Sequence, residues 1–205
     1  MNLKPIKLGI LVSGRGSNLQ AIIDAAGREE ISAEVAIVIS DQPKAYAIER
    51  AKQHNIEFAV VELKKFKNKE EYEKNILEVL KAKKVDLVCL AGYMKIVGPT
   101  LLKAYKGKMM NIHPALLPSF PGLHVQKATL NYGVKVSGCT VHFVDEGTDT
   151  GPIIVQVAVP ILEHDTEETL SGRILEQEHK IYPKAIKLFA EGKLKIEGRR
   201  VRIQG

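Results

Sequence analysis

Three short segments hold residue types that chemistry can use, and each lies where an extended run gives way to a loop. The first is Ser13-Gly14-Arg15-Gly16-Ser17-Asn18. Glycines let a backbone turn sharply and approach a ligand, while a helix that starts there offers unpaired N–H groups and the positive end of its dipole. Three readings stand: an anion-binding turn, a dinucleotide-binding turn, or a Gly-rich connection with no ligand. No Gly-Lys-Ser/Thr follows, so the segment is not a Walker loop. Leu19 takes the place of the third glycine of a dinucleotide fingerprint, although Asp41 stands where a ribose-binding acid would.

The second segment runs from Met110 through Asn111, Ile112, His113 and Pro114 to Gly122. Asn111 and His113 are two apart at a strand end, so an extended backbone points both side chains the same way. One is a neutral amide donor; the other donates or accepts protons near neutral pH. Together they suit an oxyanion and the protons that accompany it. The competing reading is a structural histidine at a strand end. The third segment is Asp145-Glu146-Gly147-Thr148-Asp149-Thr150-Gly151-Pro152. Alone it reads as a polar hairpin loop. A carboxylate beside an imidazole favours the imidazolium and fixes its orientation, but spacing does not place Asp149 beside His113.

These segments must be held by something, and the apolar pattern says what. Residues 7–12, 34–39 and 85–90 are short continuous apolar runs that suit strands buried on both faces of a parallel sheet. Weaker strands are expected at 58–61, 109–112, 136–144 and 153–159. Ser17-Asn18-Leu19-Gln20 reads as a capping box opening a helix that Gly27 ends. Asn68 caps a second helix, Pro99 starts a short one through Tyr105, and Asp165–Glu168 open the longest. Pro183 predicts a kink or break in that last helix near Tyr182. The alternation gives an α/β fold: a three-layer, open, mostly parallel seven-stranded sheet with helices on both faces. Residues 193–202 alternate weakly and suit a terminal hairpin.

Composition narrows the rest. The chain has 205 residues, 45% of them apolar and 26% charged, with net charge +6; that excludes a disordered or collagen-like chain and raises an anionic partner. Cys89 and Cys139 sit in apolar runs and no CxxC occurs, so they read as core residues of a protein from a reducing compartment. No apolar stretch reaches the roughly 20 residues of a membrane helix. Basic residues at 64–69, 81–84 and 193–202 are scattered without interleaved aromatics, which argues against nucleic acid. One domain is expected over 1–205, cytoplasmic and without metal.

With these residues in view the chain resembles the glycinamide ribonucleotide formyltransferase family. The resemblance runs from Ser-Gly-Arg-Gly-Ser-Asn-Leu-Gln at 13–20 through Leu-Ala-Gly-Tyr-Met-Lys-Ile at 90–96. It continues through Asn-Ile-His-Pro-Ala-Leu-Leu-Pro-Ser-Phe-Pro-Gly at 111–122 and Val-His-Phe-Val at 141–144 to Gln-Glu-His-Lys-Ile-Tyr-Pro at 177–183. His-Pro-Xaa-Leu-Leu-Pro marks the wider superfamily; the Ser-Gly-Xaa-Gly-Ser-Asn opening and Gln-Glu-His narrow it.

The resemblance implies formyl transfer from 10-formyltetrahydrofolate, as cosubstrate, to the amine of glycinamide ribonucleotide. It implies a catalytic trio of Asn111, His113 and Asp149, with His113 protonated through Asp149. It assigns Gly16, Ser17, Asn18 and Glu178 to the ribonucleotide. Lys69, Met94, Lys95, Ile96, Val97, Asn111 and the residues Asp145, Glu146, Gly147, Thr148 and Asp149 fall where the family holds folate. The chain then divides into a phosphate-binding half (1–105), a catalytic and folate-binding half (106–190) and a tail (191–205), acting as a monomer or homodimer. Lys69 and Lys95 stand where arginine is expected, and Leu175 where a glutamine is; lysine keeps the charge but loses the planar fork. Methionyl-tRNA formyltransferases and formyltetrahydrofolate hydrolases, the nearest relatives in chemistry, are expected to need an additional domain for which this chain has no room. A nucleotide-binding module without catalysis would keep Ser13–Asn18 and dispense with the trio.

Overall fold

The computed structural model describes residues 4–205. In chain order its elements are β1 (Ile6–Val12), α1 (Ser17–Gly27), β2 (Ala33–Ser40), α2 (Tyr46–Gln53), β3 (Phe58–Val60), a 3-10 turn (Leu63–Lys65), α3 (Lys69–Ala82) and β4 (Leu87–Leu90). There follow α4 (Pro99–Ala104), β5 (Met109–His113), α5 (Val125–Tyr132), β6 (Val136–Phe143), β7 (Ile153–Pro160), α6 (Glu167–Ala190), β8 (Leu194–Glu197) and β9 (Arg200–Ile203). All strands join one sheet in the order β3-β2-β1-β4-β5-β6-β7-β9-β8. From β3 to β5 the pairing is parallel, and β6 runs against both β5 and β7.

The continuous apolar runs are buried on both faces, as a doubly covered sheet requires. Leu8, Ile10, Val12, Val38, Leu87 and Cys89 face the core under α1, α2 and α6. Leu11, Ile37, Ile39, Val88 and Leu90 face the opposite core, with Tyr72, Ile76 and Leu80 of α3 and Leu101 of α4. Residue parity continues this rule into the site. Met110 and Ile112 of β5, and Cys139, Val141 and Phe143 of β6, belong to the first core. Asn111, His113, Thr140 and His142 therefore lie on the other face.

Among the described residues the sheet has nine strands where seven were expected, because the terminal hairpin β8–β9 attaches to it through an Ile153–Arg200 pairing beside β7. Two helices of eight residues each, α2 and α5, were not expected from the sequence; they bury one large aliphatic side chain apiece, Ile48 and Val125. Their buried residues include Ala47 and Ala51, and Thr129, which contribute little hydrophobic contrast. The expected break at Pro183 does not occur: α6 runs unbroken through it. Proline removes one main-chain donor there, while burial of Ile181, Tyr182, Pro183, Ala185 and Ile186 holds the helix against the sheet. Asn68 does cap α3, its side chain accepting from the Glu71 N–H at 2.9 Å.

The capping box expected at the start of α1 is absent. Gly16, in the left-handed region at φ 69°, is the residue before the helix, and no side chain caps it. Gln20 is turned away to Asp24 (2.8 Å), while Arg50 donates to its side-chain oxygen (3.0 Å). The first main-chain donors of α1 are thus left without a side-chain cap.

Candidate active site

The pairing of β5 with β6 builds the centre of the site. Asn111 lies opposite His142 and His113 opposite Thr140, so four polar side chains share one patch of sheet surface. The loop after β6 folds back over that patch and delivers Asp149, a residue at φ 55°. Gly151 permits the fold: a Cβ there would sit 1.8 Å from the Phe143 carbonyl oxygen. Asp149 Oδ1 accepts from Asn111 Nδ2 at 3.2 Å, and Oδ2 lies 3.3 Å from His113 Nδ1. Oδ2 also accepts from the Gly122 N–H at 2.9 Å. Asn111, His113 and Asp149 therefore meet, as the sequence reading required.

His142 was not singled out from the sequence. Its Nε2 stands 3.6 Å from Asp149 Oδ1 and 3.3 Å from Asn111 Nδ2, and its Nδ1 lies 2.8 Å from the Phe143 carbonyl. The available signal was its position two residues after Thr140 on an alternating strand. Thr140 and Gln156 were missed as well. Thr140 Oγ1 donates to the Ala115 carbonyl (2.6 Å) and accepts from the Leu117 N–H (3.1 Å). Gln156 donates to the Leu117 carbonyl at 2.9 Å. These bonds fix the proline-rich loop that leaves His113.

Burial and neighbouring charge oppose each other across this cluster. Burial pushes the Asp149 carboxyl up, but His142, the Gly122 N–H and His113 outweigh it and hold it below its ordinary value. Burial is also the largest influence on His113 and lowers it; the Phe120 carbonyl and Asp149 oppose that, and His142 adds to it. Burial thus works against the imidazolium that the family resemblance implies for His113. Yet both its nitrogens face acceptors, Nε2 at 2.8 Å from the Phe120 carbonyl and Nδ1 at Asp149. A neutral ring satisfies only one of them. The geometry thus offers an acceptor to a proton on either nitrogen, while burial opposes the charge.

At the ends of β1 and β4 lie the two other loops. Gly16 fits α2 closely, since a Cβ on it would lie 2.7 Å from Ala47 Cβ. Ser17 begins α1 and is half-buried. Asn18 and Glu178 meet directly: Asn18 Nδ2 donates to Glu178 Oε2 at 2.7 Å, and both residues are buried. That bond turns the Asn18 side chain away from any phosphate and leaves its main-chain N–H at the helix end. Burial raises the Glu178 carboxyl, opposed by Asn18.

The Met94–Val97 loop is tied to the first one. Ser13 Oγ accepts from the Met94 N–H at 2.8 Å, and the Ser13 N–H donates to the Gly92 carbonyl at 3.0 Å. Met94 and Ile96 are 60% and 67% exposed, an uncommon cost for large apolar side chains outside a binding surface. Val97 differs: its side chain is buried in the core beneath α3 and α4, which leaves its main chain as the part that faces the loop. Lys95 Nζ lies 3.9 Å from the buried Asp41 carboxylate, and Lys69 is exposed as the first residue of α3. Asp41 thus faces the Met94–Val97 loop. Asp145 also serves the loop itself, accepting from the Gly147 N–H (3.1 Å) and Thr150 Oγ1 (2.6 Å). Glu146, Gly147 and Thr148 are exposed beside it.

Cys89 and Cys139 are fully buried, and burial pushes each thiol up to about 12. Neither is a nucleophile near neutral pH. What remains is a non-covalent site: donors for a developing oxyanion, a proton position beside a carboxylate, and a helix end suited to an anion.

Sequence comparison agrees with that class of chemistry. The family described as Formyl transferase matches residues 6–186, and the chain belongs to it. Among its relatives is the phosphoribosylglycinamide formyltransferase of Bacillus subtilis, 49% identical over 181 residues that cover 88% of this chain and 93% of that protein. The trifunctional purine biosynthetic protein adenosine-3 of Drosophila melanogaster is 48% identical over 91% of this chain. The chain spans only 14% of that larger protein. Among solved structures, glycinamide ribonucleotide transformylase 1 from Symbiobacterium toebii superposes with a TM-score of 0.97 at 51% identity, covering 98% of this chain and 95% of that one.

Proposed function

We propose that this chain transfers the formyl group of 10-formyltetrahydrofolate to the amine of glycinamide ribonucleotide, giving N-formylglycinamide ribonucleotide and tetrahydrofolate in purine biosynthesis. The observation that carries the reading is the meeting of Asn111, His113 and Asp149 within about one hydrogen bond of each other, in a chain whose relatives bear that enzyme's name.

The amine nitrogen attacks the formyl carbon, and the carbonyl π electrons move to oxygen. Asn111 Nδ2 is the fixed donor for that oxyanion; such a donor contributes roughly 3–4 kcal/mol where one has been removed elsewhere. His113 starts neutral and takes up the proton that the attacking amine loses. Asp149, held ionised, stabilises the imidazolium that results. The tetrahedral carbon then collapses, the bond to the folate nitrogen breaks, and that nitrogen receives the proton, directly or through water. The atoms balance without a metal or a covalent enzyme intermediate.

The ribonucleotide phosphate lies at the start of α1, on the main-chain N–H groups of Gly16, Ser17 and Asn18, with Glu178 towards the sugar and glycinamide. The folate lies along Met94, Lys95, Ile96 and the 145–149 loop, with Lys69 at its acidic end. Two small molecules are then the partners, and a cytoplasmic monomer or homodimer goes with that assignment. The test is an assay with 10-formyltetrahydrofolate, following loss of the formyl group with and without glycinamide ribonucleotide. Conversion that requires the amine supports transfer. Conversion without it would assign the chain to hydrolysis instead.

A further inference from the structure

The segment before α1 is shaped from outside by a helix that the sequence pattern did not disclose. Two of its carbonyls point at α2. The Gly14 oxygen accepts from the Ala47 N–H at 3.1 Å, and the Arg15 oxygen accepts from Arg50 Nε at 2.9 Å. In a planar trans peptide the N–H points opposite to the C=O. Holding the Gly14 and Arg15 carbonyls on α2 therefore aims the Arg15 and Gly16 N–H groups the other way. Gly16 sits at φ 69°, outside any regular element, so no ladder or helix bond would restore that direction if the carbonyls were released.

Arg50 does more than hold one carbonyl. Its NH1 donates to Gln20 Oε1 at 3.0 Å, one turn inside α1, and Gln20 Nε2 passes the chain on to Asp24 at 2.8 Å. The guanidinium lies over the Tyr46 ring, 5.0 Å from its centroid. One planar side chain thus fixes the loop, the helix it opens and its own helix in a single arrangement. It also lines a recess of about 280 Å³ shared with Ser17, Gln20 and His179. Lysine has the charge but no fork with which to bridge two acceptors.

We propose that Arg50 is a positioning residue that orients the main-chain donors of the Ser13–Asn18 loop and so sets affinity for the phosphate end of the ribonucleotide. The inference rests on the ribonucleotide reading of that loop. It assigns Arg50 to binding of one substrate and not to the transfer step.

The experiment compares the intact chain with Arg50→Ala and Arg50→Lys. Steady-state kinetics give KM for each substrate, titration calorimetry gives affinity for ribose 5-phosphate, and thermal unfolding checks the fold. A charge-assisted bond to the loop is lost in Arg50→Ala, so KM for glycinamide ribonucleotide and Kd for ribose 5-phosphate rise about tenfold or more. KM for 10-formyltetrahydrofolate stays within about twofold, and Arg50→Lys falls between the two proteins. If Arg50→Ala is unfolded, Arg50→Lys decides: wild-type affinity in it overturns the bridging role. Wild-type affinity for ribose 5-phosphate in a folded Arg50→Ala also overturns the inference, and so do equal rises in both KM values. Those results leave the ribonucleotide reading intact. Failure of the unsubstituted protein to bind ribose 5-phosphate or use the ribonucleotide would overturn the reading of the loop and this inference with it.

Discussion

The two regions proposed to bind and to react hold their groups by opposite means. At Ser13–Asn18 those groups are main-chain N–Hs, aimed by carbonyls anchored on a neighbouring helix. At Asn111, His113 and Asp149 they are side chains, aimed by strand pairing and by a loop folded back on itself. A main-chain donor survives every substitution except proline and is otherwise only displaced or obstructed. A side-chain donor can be deleted outright. The first design suits binding that many contacts share; the second concentrates the reaction in a few atoms.

That contrast is sharpest in the cluster proposed to carry the reaction. Asp149→Asn keeps the volume and the bond to Gly122 but removes the charge that stabilises protonated His113. Turnover is expected to fall about a hundredfold or more, the range of one proton-transfer partner. Near wild-type kcat in a folded variant, checked by near-UV circular dichroism, would remove Asp149 from the reaction. Asn111→Ala deletes one oxyanion donor and should lower kcat by about a hundredfold with KM for the ribonucleotide little changed. In the other region, Ser17→Asp sets a carboxylate among the loop N–Hs. It should raise the ribonucleotide KM about tenfold and spare kcat at saturation. An unchanged KM would show that phosphate does not bind there.

Smaller effects probe the frame shared by both regions. The Tyr182 hydroxyl, fully buried on α6, lies 3.1 and 3.0 Å from the carbonyls of Leu90 and Met110. Tyr182→Phe leaves those buried carbonyls without it and should cost about 1–3 kcal/mol of unfolding free energy, read by urea denaturation. The smallest effect is that of pH. His113 has a lowered value in the folded protein, so the unfolded chain takes up a proton that the folded one refuses. Stability is lost as pH falls below the ordinary imidazole value of 6.5 toward the folded value. Denaturation midpoints above and below that pH should differ less in His113→Gln than in the unsubstituted protein.

The strands of this fold were legible because burial on both faces leaves an unbroken apolar run, and each run marks where a site loop begins. Asn111 and His113 were legible for a related reason: a spacing of two on a strand forces a shared face. Asp149 was not legible by spacing, because its approach depends on a loop that only Gly151 lets fold back. Arg50 was hidden for another reason. Its helix is only eight residues long and buries just Ala47, Ile48 and Ala51, barely two turns over which a repeating face can stand out in the sequence. His142 fell out because a histidine between valine and phenylalanine on a strand looks like core; it is buried, but among Asn111, the Phe143 carbonyl and Asp149.

The terminal hairpin also changes how this sheet ends. Sheet borders carry unpaired main-chain groups that recruit strands from other molecules, which is how many α/β proteins begin to aggregate. One border here is β3, three residues long, with Lys52 Nζ 5.6 Å from the Phe58 ring centroid. The other is β8, which alternates Lys195 and Glu197 with apolar residues and pairs Glu197 with both Lys195 and Arg202. Without the hairpin, the eight-residue β7 would form that border, with an apolar sequence from Ile153 to Val159. The tail caps one end of that margin, at Ile153, with a short charged hairpin. A chain shortened before Lys193 should therefore lose colloidal stability well before it loses activity.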